Sequence, residues 1–199
     1  MTERDDTFDD VRVLVLDDNR NFQNLLRTML RHIGFRRIDL FSEPAEARRH
    51  AVGAPVDLAF VDLVMPGESG LDWVRAARRT DRLSNPEMAI VMVTGHSDKR
   101  IVEAAIDAGA DGFLVKPLSP DSLRRHVATT LKRPFPYVRS GDGYYGPDLH
   151  GRRRAEIVAP IVEAGASPRP RREPARTVPG LDVALRETPA HVLDTMFLD

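Results

Sequence analysis

Five side chains of the 199-residue sequence are suited to handling a phosphoryl group: Asp17, Asp18, Asp62, Thr94 and Lys116. Each lies at the end of a short apolar run. The three carboxylates can hold Mg²⁺, which takes oxygen ligands and keeps several waters. An ammonium and a hydroxyl can neutralise and hydrogen-bond the remaining oxygens of a phosphoryl group. The reaction such a set supports is phosphoryl transfer to a carboxylate. Asp62 is then the in-line nucleophile, Mg²⁺ bridges its carboxylate to the phosphoryl group, and positioning with charge neutralisation supplies the catalysis.

The elements that must gather these residues can be read from apolar period. The run Val11-Arg12-Val13-Leu14-Val15-Leu16-Asp17 has the composition of a strand covered on both faces of a parallel sheet. Phe22, Leu25, Leu26, Met29, Leu30 and Ile33 recur at helical spacing over 21–33, and Gly34 stands where a helix would stop. A second strand is predicted at 38–41, and a helix at 44–52 with Pro44 in its first turn and Ser42 as candidate cap. Strands at 57–62, 88–94 and 111–115 alternate with helices at 70–80, 98–108 and 121–131. Five βα repeats predict an α/β fold with a doubly wound, five-stranded parallel sheet of the flavodoxin-like kind. Its right-handed crossovers put every strand's carboxyl end on one edge. Ligands bind at that edge in such folds.

Composition removes several other classes. Without cysteine there is no disulfide scaffold, no Cys-ligated metal and no thiol nucleophile. No apolar stretch approaches the ~18 residues of a membrane span, and the acidic first ten residues are unlike a basic signal segment, so a cytoplasmic location is expected. A P-loop glycine pattern is missing, which removes sequence support for nucleotide binding. Residues 133–199 carry 9 of the 15 prolines and 6 of the 13 glycines, which predicts a domain over 10–132 followed by a tail. That tail is expected to be irregular or docked.

The ordered set resembles the receiver domain of two-component response regulators, the CheY-like superfamily. It comprises Val15-Leu16-Asp17-Asp18, Val61-Asp62-Leu63-Val64-Met65-Pro66-Gly67, Thr94-Gly95 and Lys116-Pro117. The resemblance covers roughly 10–132. It implies that Asp62 is the phosphoacceptor, Asp18 a direct Mg²⁺ ligand, Asp17 a ligand largely through water, and the Val64 main-chain carbonyl a further ligand. Thr94 and Lys116 would be the switch hydroxyl and the phosphate-binding lysine, with the Lys116-Pro117 peptide cis. Phe113, where relatives carry Tyr or Phe, would turn inward into the space that Thr94 vacates when it bonds the phosphoryl group. Small Gly95 would leave the phosphoryl approach open. Val64 and His96 are candidate modulators of acyl-phosphate lifetime, although His96 reads equally as an exposed loop histidine.

By the same resemblance the chain is a phosphorelay switch rather than an enzyme, catalysing only its own phosphorylation and dephosphorylation. A sensor histidine kinase or phosphotransfer protein would supply the phosphoryl group, and the output would be contact with a downstream protein. A phosphorylation-dependent homodimer is a further option. The alternative is a constitutive adaptor that works through its tail. A hydrolase on this fold would need a second carboxylate two residues after the nucleophile, where Val64 stands. The prolines of 133–199 argue against a helix-turn-helix DNA-binding output. The runs Arg152-Arg153-Arg154 and Arg169-Pro170-Arg171-Arg172 have acids nearby and read best as solvated tail. The segment 135–147, with all three tyrosines, is read either as folding back on the domain or as a partner-binding strip. The sparse apolar end, Val183 to Leu198, reads as a short docking helix or an anchor on the domain's own surface.

Overall fold

The computed structural model describes residues 8–96, 98–132 and 135–148. The basic runs and the apolar C-terminal end lie outside them. Strands β1 (Arg12–Leu16), β2 (Arg37–Phe41), β3 (Leu58–Asp62), β4 (Ala89–Thr94) and β5 (Gly112–Val115) alternate with α1 (Arg20–Ile33), α2 (Pro44–Gly53), α3 (Gly70–Arg79), α4 (Lys99–Ala108) and α5 (Pro120–Leu131). The strands form one parallel sheet in the order β2-β1-β3-β4-β5. The expected α/β class and doubly wound topology are therefore observed. Strand order reverses at β1 and β3, which places a cleft between their carboxyl ends.

Period-2 alternation divides the strands between two cores. Leu14, Leu16, Ala59, Val61, Ile90 and Met92 face α2, α3 and α4, where Trp73 and Leu71 pack. Val13, Val15, Leu58, Phe60, Val91 and Val93 face α1 and α5, against Leu26, Leu30, Leu123 and Val127. The central strands β3 and β4 are buried throughout, which is why their sequences are almost unbroken apolar runs. Truncating a wholly buried leucine such as Leu30 to Ala would cost about 2–5 kcal/mol.

Capping fixes the helix starts that flank the cleft. Asn19 accepts the Asn21 and Phe22 amides, Ser69 that of Asp72, and Ser119 that of Ser122. Ser42 does not cap α2, contrary to the sequence expectation. Glu43 holds the cap position with no side-chain bond, Pro44 follows, and the Ser42 hydroxyl instead accepts from Gln23. A proline in the first turn removes an amide that would otherwise need a partner, so the missing capping bond is cheap here.

Beyond α5 the chain forms an antiparallel hairpin of β6 (Tyr137–Arg139) and β7 (Tyr145–Pro147). The segment left open by sequence thus folds back on the domain. Arg78, at the end of α3, is fully enclosed beneath it and donates to Gly109 O, Met88 O and Asp111 Oδ2. Tyr144 is also buried, and a side chain at Gly109 would collide with Arg78 and Tyr144. Among the described residues no helix is long and apolar enough to cross a membrane.

Candidate functional site

The parallel register delivers the carboxyl end of β1 beside that of β3, and α1 begins three residues after Asp17. Asp17 follows β1 and Asp62 closes β3, and both carboxylates are buried. Lys116, just past β5, reaches across them. Its Nζ donates to Asp17 Oδ2 and to Asp62 Oδ1, at 2.7 Å each. The second Asp62 oxygen accepts the Val64 amide at 2.9 Å, and the second Asp17 oxygen accepts the Asn19 amide at 2.9 Å. All four carboxylate oxygens are therefore engaged and aimed. The Lys116 amide donates to Thr94 O, and the Lys116-Pro117 peptide is cis, as the family resemblance implied.

Electrostatics follow from that geometry. Burial pushes the Asp62 carboxyl above the ordinary carboxylate range, and the Asp17 charge adds to the push. The Lys116 bond and charge and the Val64 amide oppose it without reversing it. Burial alone would lower the Lys116 ammonium, but its bonds and charges to the two acids more than offset this, and the net direction is upward.

The remaining residues expected at the site surround it in different ways. Asp18 is exposed in the turn between β1 and α1. Thr94 is almost wholly buried at the end of β4, and its hydroxyl accepts the His96 amide at 3.1 Å. Gly95 and His96 are exposed in the loop that follows. Val64 is one of only two large apolar side chains that stand exposed among the described residues. Phe113 is half-buried against the core on the α4 side.

Three supports were not visible in the sequence. Gln23, buried on α1, donates its amide to Asp17 O, to Phe41 O at 2.8 Å and to the Ser42 hydroxyl at 3.1 Å, tying the β1 and β2 ends together. Phe22 lies with its ring 3.8 Å from the Lys116 nitrogen. Gly70 opens α3 directly against β3, where a Cβ would lie 2.0 Å from Asp62 O. Only the adjacency of Gly70 to a helix start could have hinted at the last of these.

Residues 13–128 match the response regulator receiver domain family. The chain belongs to that family. This receiver is 34% identical over 131 residues to the transcriptional regulatory protein GltR of Pseudomonas aeruginosa, an alignment covering 65% of the chain and 53% of GltR. It is 29% identical to the chemotaxis protein CheY of the same species, covering 62% of the chain and 98% of that protein. The solved structure of CheY4 from Vibrio cholerae superposes with a TM-score of 0.56 at 25% identity, over 60% of this chain and 98% of that one. The chain spans only 53% of GltR and 32% of the cyclic di-GMP phosphodiesterase response regulator RpfG of Xanthomonas campestris.

Receivers of this family generally bind Mg²⁺ at the phosphorylation site, and the donor set here is of the right kind. Asp17, Asp62, Asp18 and the Val64 carbonyl are all hard oxygen donors. Among the described residues no three acidic or imidazole side chains gather tightly enough to grip an ion alone. Sparse protein ligation completed by water is the kind of site that Mg²⁺ accepts.

Proposed function

We propose that this receiver is a phosphorylation-dependent switch of two-component signalling, taking a phosphoryl group onto Asp62 from a sensor histidine kinase or phosphotransfer protein. The observation that carries the reading is the Lys116 bridge between Asp17 and Asp62 at the strand-order reversal. Family membership and this charged site favour the switch over a constitutive adaptor.

The residues divide the work as follows. An Asp62 oxygen attacks phosphorus in line, an O–P bond forms, and the N–P bond to the donor imidazole breaks as that imidazole leaves. The Val64 amide holds one Asp62 oxygen and so fixes the carboxylate plane for that attack. Lys116 lies within bonding reach of the nucleophile and can follow the charge onto the phosphoryl oxygens. Bound by Asp17, Asp18, Asp62 and the Val64 carbonyl, Mg²⁺ would neutralise the phosphoryl oxygens as a Lewis acid. Thr94 would exchange its bond with the His96 amide for one to the phosphoryl group, and Phe113 would move into the space behind it. Lys116-Pro117 shapes the loop that carries the lysine.

The chain acts as a switch without an enzymatic output of its own, in the cytoplasm, through contacts with a downstream protein. We assign 10–132 to the receiver and 133–199 to a C-terminal extension, whose β6–β7 hairpin packs back on the domain. Mobility of the full chain on Phos-tag gels after acetyl phosphate and MgCl₂ tests the reading, beside Asp62→Ala and an EDTA control. A shift lost in both controls is expected. A shift retained by Asp62→Ala would remove Asp62 as the acceptor, and no shift with either acetyl phosphate or a cognate kinase would overturn the switch.

A further inference from the structure

The Lys116 ammonium carries three N–H groups, and two of them point at carboxylates. Its remaining side meets the ring of Phe22, with Nζ 3.8 Å from the ring centroid. A cation over an aromatic face is attracted by the ring quadrupole, more strongly where water is excluded. Phe22 is partly buried against the α1-side core, so the contact is shielded.

The ring is placed by the acidic loop itself. Asp17 Oδ1 accepts the Asn19 amide at 2.9 Å, and Asn19 Oδ1 accepts the Phe22 amide at 3.2 Å. Two successive side-chain turns thus lead from an acid of the site to the residue beneath its lysine. The ring attracts the ammonium without offering it an acceptor. Lys116 can therefore turn an N–H from a carboxylate to an arriving phosphoryl oxygen while staying above the ring. A leucine of similar bulk would fill the space but lack the attraction.

We propose that Phe22 is a positioning residue that holds the Lys116 ammonium over the phosphoacceptor by a cation–π contact, an inference that rests on the phosphorylation reading above. The test compares initial phosphorylation rates of the full chain with acetyl phosphate and MgCl₂ for wild type, Phe22→Tyr, Phe22→Leu and a protein with 3,4,5-trifluorophenylalanine at position 22. Fluorination weakens the ring quadrupole while keeping the ring in place. Phe22→Tyr is expected within about twofold of wild type, and the leucine and fluorinated proteins about fivefold slower, the factor a ring–cation contact of this kind is worth.

A second readout does not depend on phosphorylation. Ring current should move the Lys116 ε-methylene NMR signal upfield of those of Lys99 and Lys132, and Phe22→Leu should abolish that shift. Wild-type rates in the leucine protein would overturn the proposal. So would a fluorinated protein as fast as wild type, because the ring would then act through shape alone. If wild type took no phosphoryl group from acetyl phosphate or from a cognate kinase, the phosphorylation reading would fail instead, and an absent upfield shift would separately remove the contact.

Discussion

The Tyr137 hydroxyl lies 2.9 Å from Asp111 Oδ1, joining the C-terminal hairpin to the residue that leads into β5. The same carboxylate receives Arg78 at 2.6 Å and the Ile90 amide at 2.7 Å. Tyr137 thereby closes a buried polar cluster made by α3, β4 and β5. Tyr137→Phe is expected to cost about 1.5–3 kcal/mol, the worth of a hydrogen bond to a charged group. Ending the chain at residue 132 should cost more, since it also uncovers the buried Arg78 and removes Tyr144, which packs beside it. Urea unfolding measures both, and an unchanged midpoint in the shortened chain would show that the hairpin lies outside the cooperative unit.

Gly70 has no room for a methyl group, because a Cβ there would lie 2.0 Å from the Asp62 carbonyl. Backbone rather than a flexible side chain stands in the way, so α3 or the end of β3 must shift. Gly70→Ala should lose several kcal/mol, at the high end for a single substitution, and should slow phosphorylation as well. Unfolding midpoints and Phos-tag rates on the same preparation check the two effects. Wild-type values for both would mean that the helix slides freely.

Removing the Asp62 charge should stabilise the fold while abolishing phosphorylation. Burial raises the folded-state carboxyl above its ordinary 3.8, so the ionised form is unfavourable in the folded protein. That cost is fully present above the folded pKa and fades as pH falls toward 3.8. Asp62→Asn, which leaves Lys116 paired with Asp17, is expected to raise the thermal midpoint by a few degrees at pH 8 and by less near pH 4. A midpoint lowered at pH 8 would show that Asp62 is held favourably by its partners.

His126, on α5, contributes the opposite dependence. Its Nε2 is buried without a hydrogen-bond partner and faces Gly112, and burial pushes its pKa down from 6.5 to about 4. The unfolded chain takes up a proton below about 6.5 that the folded chain refuses, so stability is lost as pH falls from there to about 4. The full effect is on the order of 3 kcal/mol. Urea titrations of wild type and His126→Leu between pH 7 and 4 should diverge by that amount. Parallel curves would place the imidazole in contact with water.

The strands that carry the site were legible because each is a short apolar run ending in a residue no core would accept. Asp17, Asp62 and Lys116 announce themselves in that way, and the structure brings them within bonding distance. Residues whose importance depends on distant contacts were not legible. Gln23 reads as an ordinary polar helix position, yet its amide bonds Phe41 O, 18 residues away. Phe22 fits the apolar stripe of α1, and nothing local distinguishes a core ring from one lying against Lys116. Ser42 satisfies the local rule for a cap and loses to a long-range acceptor role. The hairpin is a proline- and glycine-rich segment whose order comes from Arg78 and Asp111, residues far upstream.

Lys116 holds together acids supplied by two different strands, β1 and β3, while itself hanging from a third, β5. The cation that would greet the phosphoryl group is also what keeps two buried negative charges from facing each other. Acylation of that one amine would leave the stem in place and erase its charge. The protein would lose its grip on the phosphoryl group and, in the same event, the mortar between its carboxylates.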